Sequence, residues 1–295
     1  VQIVHRKSPI TDPNGFTQIE LLVVISVVAL LTAVLVPTLH RVRKQARAVV
    51  CQARLRQWGA LLAMYVNENA GRLPGPADKK DPLHGFGEWG IAWGGGWGAG
   101  WKDQDAFETT EIRSCPMATK PVDPTGTGVE KAGGTFLAWG RGVPKGAEAM
   151  PWADSCGSYG LNHCVADHSE YDPGDMRMKA WYTADVPRAD RIPVYSDHTW
   201  PWVWPWSWGE DGAMPPARDA IPTALGPSYD QFPCMNRHDG GINATFLDWS
   251  VRKVGLKELW TLKWNRQYNT SGRWTKAGGV QPEDWPEWMR GFKEY

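Results

Sequence analysis

The 295 residues include 42% hydrophobic and 22% charged side chains, enough apolar material for one sizeable folded domain and an accessory element, and this argues against wholesale disorder. Thirty-two basic side chains balance thirty-two acidic ones, which excludes a charge-driven affinity of the whole chain for nucleic acid or an acidic surface. Nineteen Trp, thirty-two Gly and twenty-three Pro point to a loop-rich domain filled by large rings.

The first fifteen residues are short, polar and basic, with His5, Arg6 and Lys7, and close on Asn14-Gly15. From Phe16 to Leu39 the chain is apolar apart from Thr17, Gln18, Glu20, Ser26, Thr32, Pro37 and Thr38. About 20 such helical residues cross a hydrocarbon layer, so one membrane span is predicted. Arg41, Arg43, Lys44 and Arg47 follow it, and the positive-inside rule alone would place that end in the cytoplasm. A secretory signal peptide is cut after its apolar stretch; here the only plausible site, between Gly15 and Phe16, precedes it.

Beyond the span, Leu55, Trp58, Leu61, Leu62 and Tyr65 recur at three- and four-residue spacing. Asn69-Ala70-Gly71, with Pro74 and Pro76 downstream, gives a stop signal. A helix from about Thr17 to Ala70 is predicted, its second half packing on a domain. Pro37 should kink or locally melt it, because proline lacks an N–H and clashes with the preceding turn.

From Gly71 to about Met150 the chain is rich in Gly, Pro and Trp, and the glycines around Trp89 to Trp101 lack the spacing and the Lys-Ser/Thr of a phosphate loop. Strands are predicted at 158–162, 192–196, 244–247 and 251–254, the last two joined by a tight turn at Asp248-Trp249-Ser250. Short helices are predicted at 256–266 and 285–292.

Gly15-Phe16-Thr17-Gln18-Ile19-Glu20-Leu21-Leu22-Val23-Val24-Ile25 closely resembles the type IV prepilin cleavage and methylation motif. The resemblance implies cleavage after Gly15 by a prepilin peptidase and N-methylation of Phe16. It implies a single-pass protein of the inner membrane, leader in the cytoplasm and head periplasmic or extracellular. Glu20 becomes the fifth mature residue, and a charge inside a bilayer costs about 2.5–3.5 kcal/mol unless it finds a partner. In this family that partner is the terminal ammonium of a neighbouring subunit, and Pro37 matches a helix-breaking position. The implied fold is α+β: a long helix, half transmembrane and half amphipathic, packed on an antiparallel sheet with long Trp/Gly/Pro-rich loops. Its parts are a leader (1–15), a membrane and assembly helix (16–39), an amphipathic extension (40–70) and an exported head (71–295).

The C-terminal half resembles a bacterial group of pilin-like proteins carrying His, nine residues, then Asp-Gly. His238 and Asp248 keep that spacing, but Trp249 stands in place of the Gly, which should alter the turn. Cys115-Pro116, 158–162 and Asp185-Val186-Pro187-Arg188 are further landmarks of that group.

The function so implied is a structural, non-enzymatic subunit of a type IV pilus-like or type II secretion-like filament. Its partners would be the peptidase, other pilin or pseudopilin subunits, the inner-membrane assembly platform and the membrane. Two other readings compete. Five Trp within 200–208 suggest a surface of Trp202, Trp204 and Trp206 for glycan or peptide, against the alternative that the rings fold inward. A metal-dependent hydrolase would draw on His163 or His238, but no nucleophile motif accompanies them.

No cofactor is expected by default. Cys51, Cys115, Cys156, Cys164 and Cys234 lack zinc-ribbon spacing, and neither 162–168, with His163, Cys164, Asp167 and His168, nor the Asp197-His198 and His238-Asp239 pairs give a zinc pattern. In an exported domain the last four cysteines could form two disulfides in any of three connectivities. Related pseudopilins hold calcium in C-terminal loops, and the resemblance offers Asp197, Asp239, Asn243 and Asp248 as oxygen ligands. The competing role for such residues is local hydrogen bonding at turns. For His238 the expected role is a structural hydrogen bond across the hairpin.

Overall fold

The computed structural model describes residues 17–74, 112–120, 130–131, 133–141, 156–166, 178–200, 202–203, 205, 212–220 and 233–295. The chain divides into two compact units, Val1–Gln45 and Ala46–Tyr295.

One helix, α1 (Gln18–Glu68), contributes to both units. Thr17 and Glu20 start it with a reciprocal cap: the Thr17 amide donates to Glu20 Oε2 at 2.8 Å, and the Glu20 amide to Thr17 Oγ1 at 3.2 Å. In the first unit Leu, Ile and Val side chains are exposed around the whole helix, Leu30 at 70% and Ile19 at 76%. The hydroxyls of Ser26, Thr32 and Thr38 turn back to carbonyls one turn earlier, so these three need no outside partner. α1 continues through Pro37 as one helix, without the local melting that is the alternative to a kink. The proline leaves the Ala33 carbonyl without its usual amide, while Thr38 Oγ1 donates to Leu35 O at 2.8 Å.

In the second unit α1 packs on a five-stranded sheet of order β6-β4-β5-β7-β8. Its strands are β4 (Tyr159–Asn162), β5 (Pro193–Asp197), β6 (Trp202–Val203), β7 (Gly241–Phe246) and β8 (Val251–Gly255). The pairs β4–β5, β5–β7 and β7–β8 are antiparallel, and β6 joins parallel to β4. A smaller antiparallel sheet holds β1 (Glu130–Lys131), β2 (Trp139–Arg141) and β3 (Cys156–Gly157). The four longer predicted strands are thus present within a few residues of their expected ends.

Side-chain alternation explains how β7 serves two cores. Asn243 and Thr245 face α1, where Gln52 Nε2 donates to Asn243 Oδ1 at 3.1 Å and Thr245 Oγ1 donates to Leu55 O at 3.0 Å. Ile242, Ala244 and Phe246 face the opposite way, into a second core with Trp260, Trp264, Trp274, Trp285 and Met289 from the C-terminal segment. The first core holds Cys51, Leu55, Trp58, Leu62, Tyr65 and Val66 of α1 against Tyr159, Leu161 and Tyr195 of the sheet. Gly59 lets the two layers approach: a Cβ there would lie 2.9 Å from Thr245 Cγ2.

The helix ends close to the predicted Ala70-Gly71, with Ala70 and Gly71 at φ 53° and 82°, and the Gly71 amide donates to Val66 O at 2.8 Å. The two predicted C-terminal helices are replaced by shorter 3-10 turns at Lys257–Thr261, Pro282–Asp284 and Glu287–Met289. After Thr261 the chain extends because tertiary bonds capture it: the Lys263 amide donates to Arg191 O and Asn162 Nδ2 to Trp264 O. Pro286 separates the last two turns.

Candidate functional site

Four distant segments meet where α1 packs on the sheet: α1 itself, the loop around Cys115, β5 and the turn before β7. Tyr159 of β4 pairs in register with Asp197 of β5, and the Asn243 amide of β7 donates to Asp197 Oδ2 at 2.8 Å. Cys51 lies over this row on α1, with Tyr159 donating its hydroxyl to Cys51 Sγ at 3.3 Å. Cys115 arrives on a loop pinned at several points. Trp58 Nε1 donates to Ile112 O at 2.9 Å, Arg54 Nη1 donates to Ser114 O at 2.5 Å, and the Cys115 amide donates to Ser158 Oγ at 2.5 Å.

The fourth segment is the turn before β7. Asn236 Oδ1 accepts from the Gly240 amide at 2.6 Å, and Asp239 and Gly240 take φ of 48° and 87°. This folds Arg237 and His238 inward. Arg237 donates to Asp197 Oδ1 at 3.0 Å and to the carbonyls of Thr135, Ser158 and Gly134 at 2.7, 2.7 and 2.9 Å, which satisfies a fully buried guanidinium. His238 Nε2 sits 3.1 Å from Asp197 Oδ2 and 3.3 Å from Cys115 Sγ.

Cys51, Cys115, Asp197 and His238 are all buried, and their ligating atoms lie within 4.8 Å of one another. They form one His/Cys/Asp grouping, among the described residues, with the spacing needed to hold a metal. Their electrostatics are coupled. Burial opposes ionisation of Asp197, but the Arg237 and His238 charges outweigh it and hold the carboxyl at about 2. Burial also disfavours the His238 imidazolium, yet the adjacent Asp197 carries it up to about 9. Cys51 is brought down to about 7: burial works against its thiolate, and hydrogen bonds from Cys115 and His238 prevail. Cys115 is pushed up, chiefly by burial and by its bond to Cys51.

The sequence-derived candidates fall in different places. Gly15 and Phe16 lie outside the described residues, as do Trp204, Trp206 and the side chain of Trp202, whose backbone forms β6. Glu20 is exposed at the start of α1 and Pro37 is exposed within it. His238 and Asp248 stand before and after β7, and the His238 ring turns to Asp197 and Cys115 rather than across the hairpin. Asp248 bonds the Ser250 amide and hydroxyl at 3.0 and 2.6 Å, a local turn role.

The four oxygen donors named for calcium do not converge. Asp197 and Asn243 meet, whereas Asp239 and Asp248 flank the six residues of β7 at its opposite ends. The two-disulfide scheme is also corrected, because Cys115, Cys164 and Cys234 are all free and buried. Cys234 Sγ contacts Met289 Sδ at 3.9 Å within the second core, and burial raises the thiols of both Cys164 and Cys234. Trp58, Trp139, Trp181, Trp200, Trp260, Trp264, Trp274 and Trp285 are buried, so the described rings serve mostly as packing.

A comparison with curated proteins gives a partial relative: the type IV wide pilus major component PilA4 of Thermus thermophilus, 46% identical over 58 residues. The match covers 20% of this chain and 44% of that protein, so the chain spans less than half the length of its relative. No family model matches, and no solved structure matches.

Proposed function

We propose that the chain is a structural subunit, pilin or pseudopilin, of a type IV pilus-like or type II secretion-like filament. It is cut after Gly15 by a prepilin peptidase, methylated at Phe16, held in the inner membrane by α1 and assembled with other subunits through that helix. The observation that carries this reading is the division of α1 into two surfaces. Its first half exposes Leu, Ile and Val on every side, and its second half buries Cys51, Leu55, Trp58 and Leu62 against a sheet. Each large apolar side chain left in water forgoes about 1.5–3 kcal/mol, so the first half needs lipid or packed helices around it. The partial likeness to a pilus subunit supports the same reading.

Glu20 is the assembly residue in this account. Within one chain its carboxylate caps α1 through Thr17; in the filament it also meets the methylated ammonium of a neighbour. Glu20→Gln separates the two roles, since Gln retains the capping acceptor without the charge. The expected result is a membrane-inserted variant missing from sheared surface filaments. A Glu20→Gln chain recovered in filaments at the wild-type level would overturn the assembly role.

A further inference from the structure

We propose that Cys51, Cys115, Asp197 and His238 form a closed tetrahedral zinc site that staples α1 to the sheet and to the turn before β7. The geometry carries the inference. Zinc bonds of about 2.3 Å to sulfur and about 2.0–2.1 Å to nitrogen and oxygen place tetrahedral ligand atoms roughly 3.3–3.8 Å apart. His238 Nε2 lies 3.3 Å from Cys115 Sγ and 3.1 Å from Asp197 Oδ2, and Cys51 Sγ lies 3.8 Å from the same Asp197 Oδ2. These separations approach the edges of that polyhedron.

The surroundings match what a bound cation requires. Tyr159 donates to Cys51 Sγ, the Met117 amide donates to Cys115 Sγ at 3.5 Å, and the Asn243 amide and Arg237 both donate to Asp197. Such outer donors orient ligands and temper the charge of thiolates. Two thiolates and one carboxylate carry three negative charges, which Zn²⁺ and the Arg237 guanidinium together neutralise, so the buried site is electrically balanced. Two sulfur ligands select against calcium and magnesium, which prefer oxygen, and a four-ligand set with no open position belongs to structural rather than catalytic zinc.

The ligands come from positions 51, 115, 197 and 238, one each from α1, a loop, β5 and a turn. The metal therefore cross-links segments that share few regular hydrogen bonds. Loop 112–120 gains most, since it contains no helix or strand.

The test uses the full-length chain in detergent under reducing conditions. Elemental analysis should find one zinc per chain, and Co²⁺ added after chelator treatment should give thiolate-to-cobalt charge-transfer absorption with tetrahedral d–d bands. Cys115→Ser should reduce bound zinc at least tenfold, whereas Cys164→Ser, which alters a buried thiol outside the cluster, should leave it unchanged. The cobalt spectrum of the wild-type chain decides the matter even where Cys115→Ser fails to fold. A folded wild-type chain without zinc and without a thiolate–cobalt band, or one isolated with a Cys51–Cys115 disulfide, overturns the proposal. So does metal that Cys115→Ser retains. None of these outcomes bears on filament assembly, which Glu20→Gln reads separately.

Discussion

Arg237 Nη1 lies 3.0 Å from Asp197 Oδ1, and both side chains are completely buried. The pair does more than neutralise charge, because the same guanidinium bonds Thr135 and Gly134 of the smaller sheet's region and Ser158 before β4. Removing it strands a buried carboxylate and three carbonyls at once. Arg237→Met should destabilise the second unit by about 3–5 kcal/mol, measured by chemical denaturation followed through Trp fluorescence. A loss under about 1 kcal/mol would mean that Asp197 is held by other groups.

The approach of α1 to β7 makes a second prediction. Glycine within a helix costs roughly 0.5–1 kcal/mol relative to alanine, so Gly59 is tolerated for its contact with Thr245 Cγ2. Gly59→Ala should destabilise the wild-type chain. In a Thr245→Ser background, which removes the methyl but keeps a hydroxyl for Leu55 O, the same change should become neutral or stabilising. The expected coupling in a double-mutant cycle is about 1 kcal/mol, and additive effects would show that the two residues do not set the spacing.

Trp249 supplies a third case. Its φ of 66° lies in the left-handed region, where a bulky ring is strained and a glycine is not. The ring packs at the edge of the first core. Both Trp249→Ala and Trp249→Gly lose that packing, but only glycine escapes the backbone strain of about 1–2 kcal/mol. Trp249→Gly should therefore melt above Trp249→Ala by several degrees in calorimetry; equal melting temperatures would remove the strain from the account.

These residues also show what was readable in the chain beforehand. The apolar run before Leu39 and the three- and four-residue spacing of Leu55, Trp58 and Leu62 announce α1, since a helix writes its buried face locally. The alternation around Thr245 and Phe246 announces β7 in the same way. The cluster under α1 is different. Its four members are separated by dozens of residues, and no local spacing ties Cys51 to Cys115 or either to His238.

His238 stands out in the sequence by its spacing from Asp248, yet it turns toward Asp197, because the turn at Asp239-Gly240 reverses the chain just ahead of β7. The five cysteines are an odd number, so at least one is unpaired within the chain, but nothing local points to Cys51 or to its burial. The C-terminal helices failed for a related reason: Arg191 and Asn162 draw residues 263 and 264 out of the helical path, and those partners lie far upstream.

The filament account meets its most direct test at the amino terminus. Peptide mass spectrometry of the chain recovered from sheared surface filaments should find a mature protein beginning at N-methylated Phe16, with residues 1–15 absent. An uncut chain continuing upstream of Gly15, confined to the membrane fraction, would contradict processing and assembly together and leave α1 as a simple anchor.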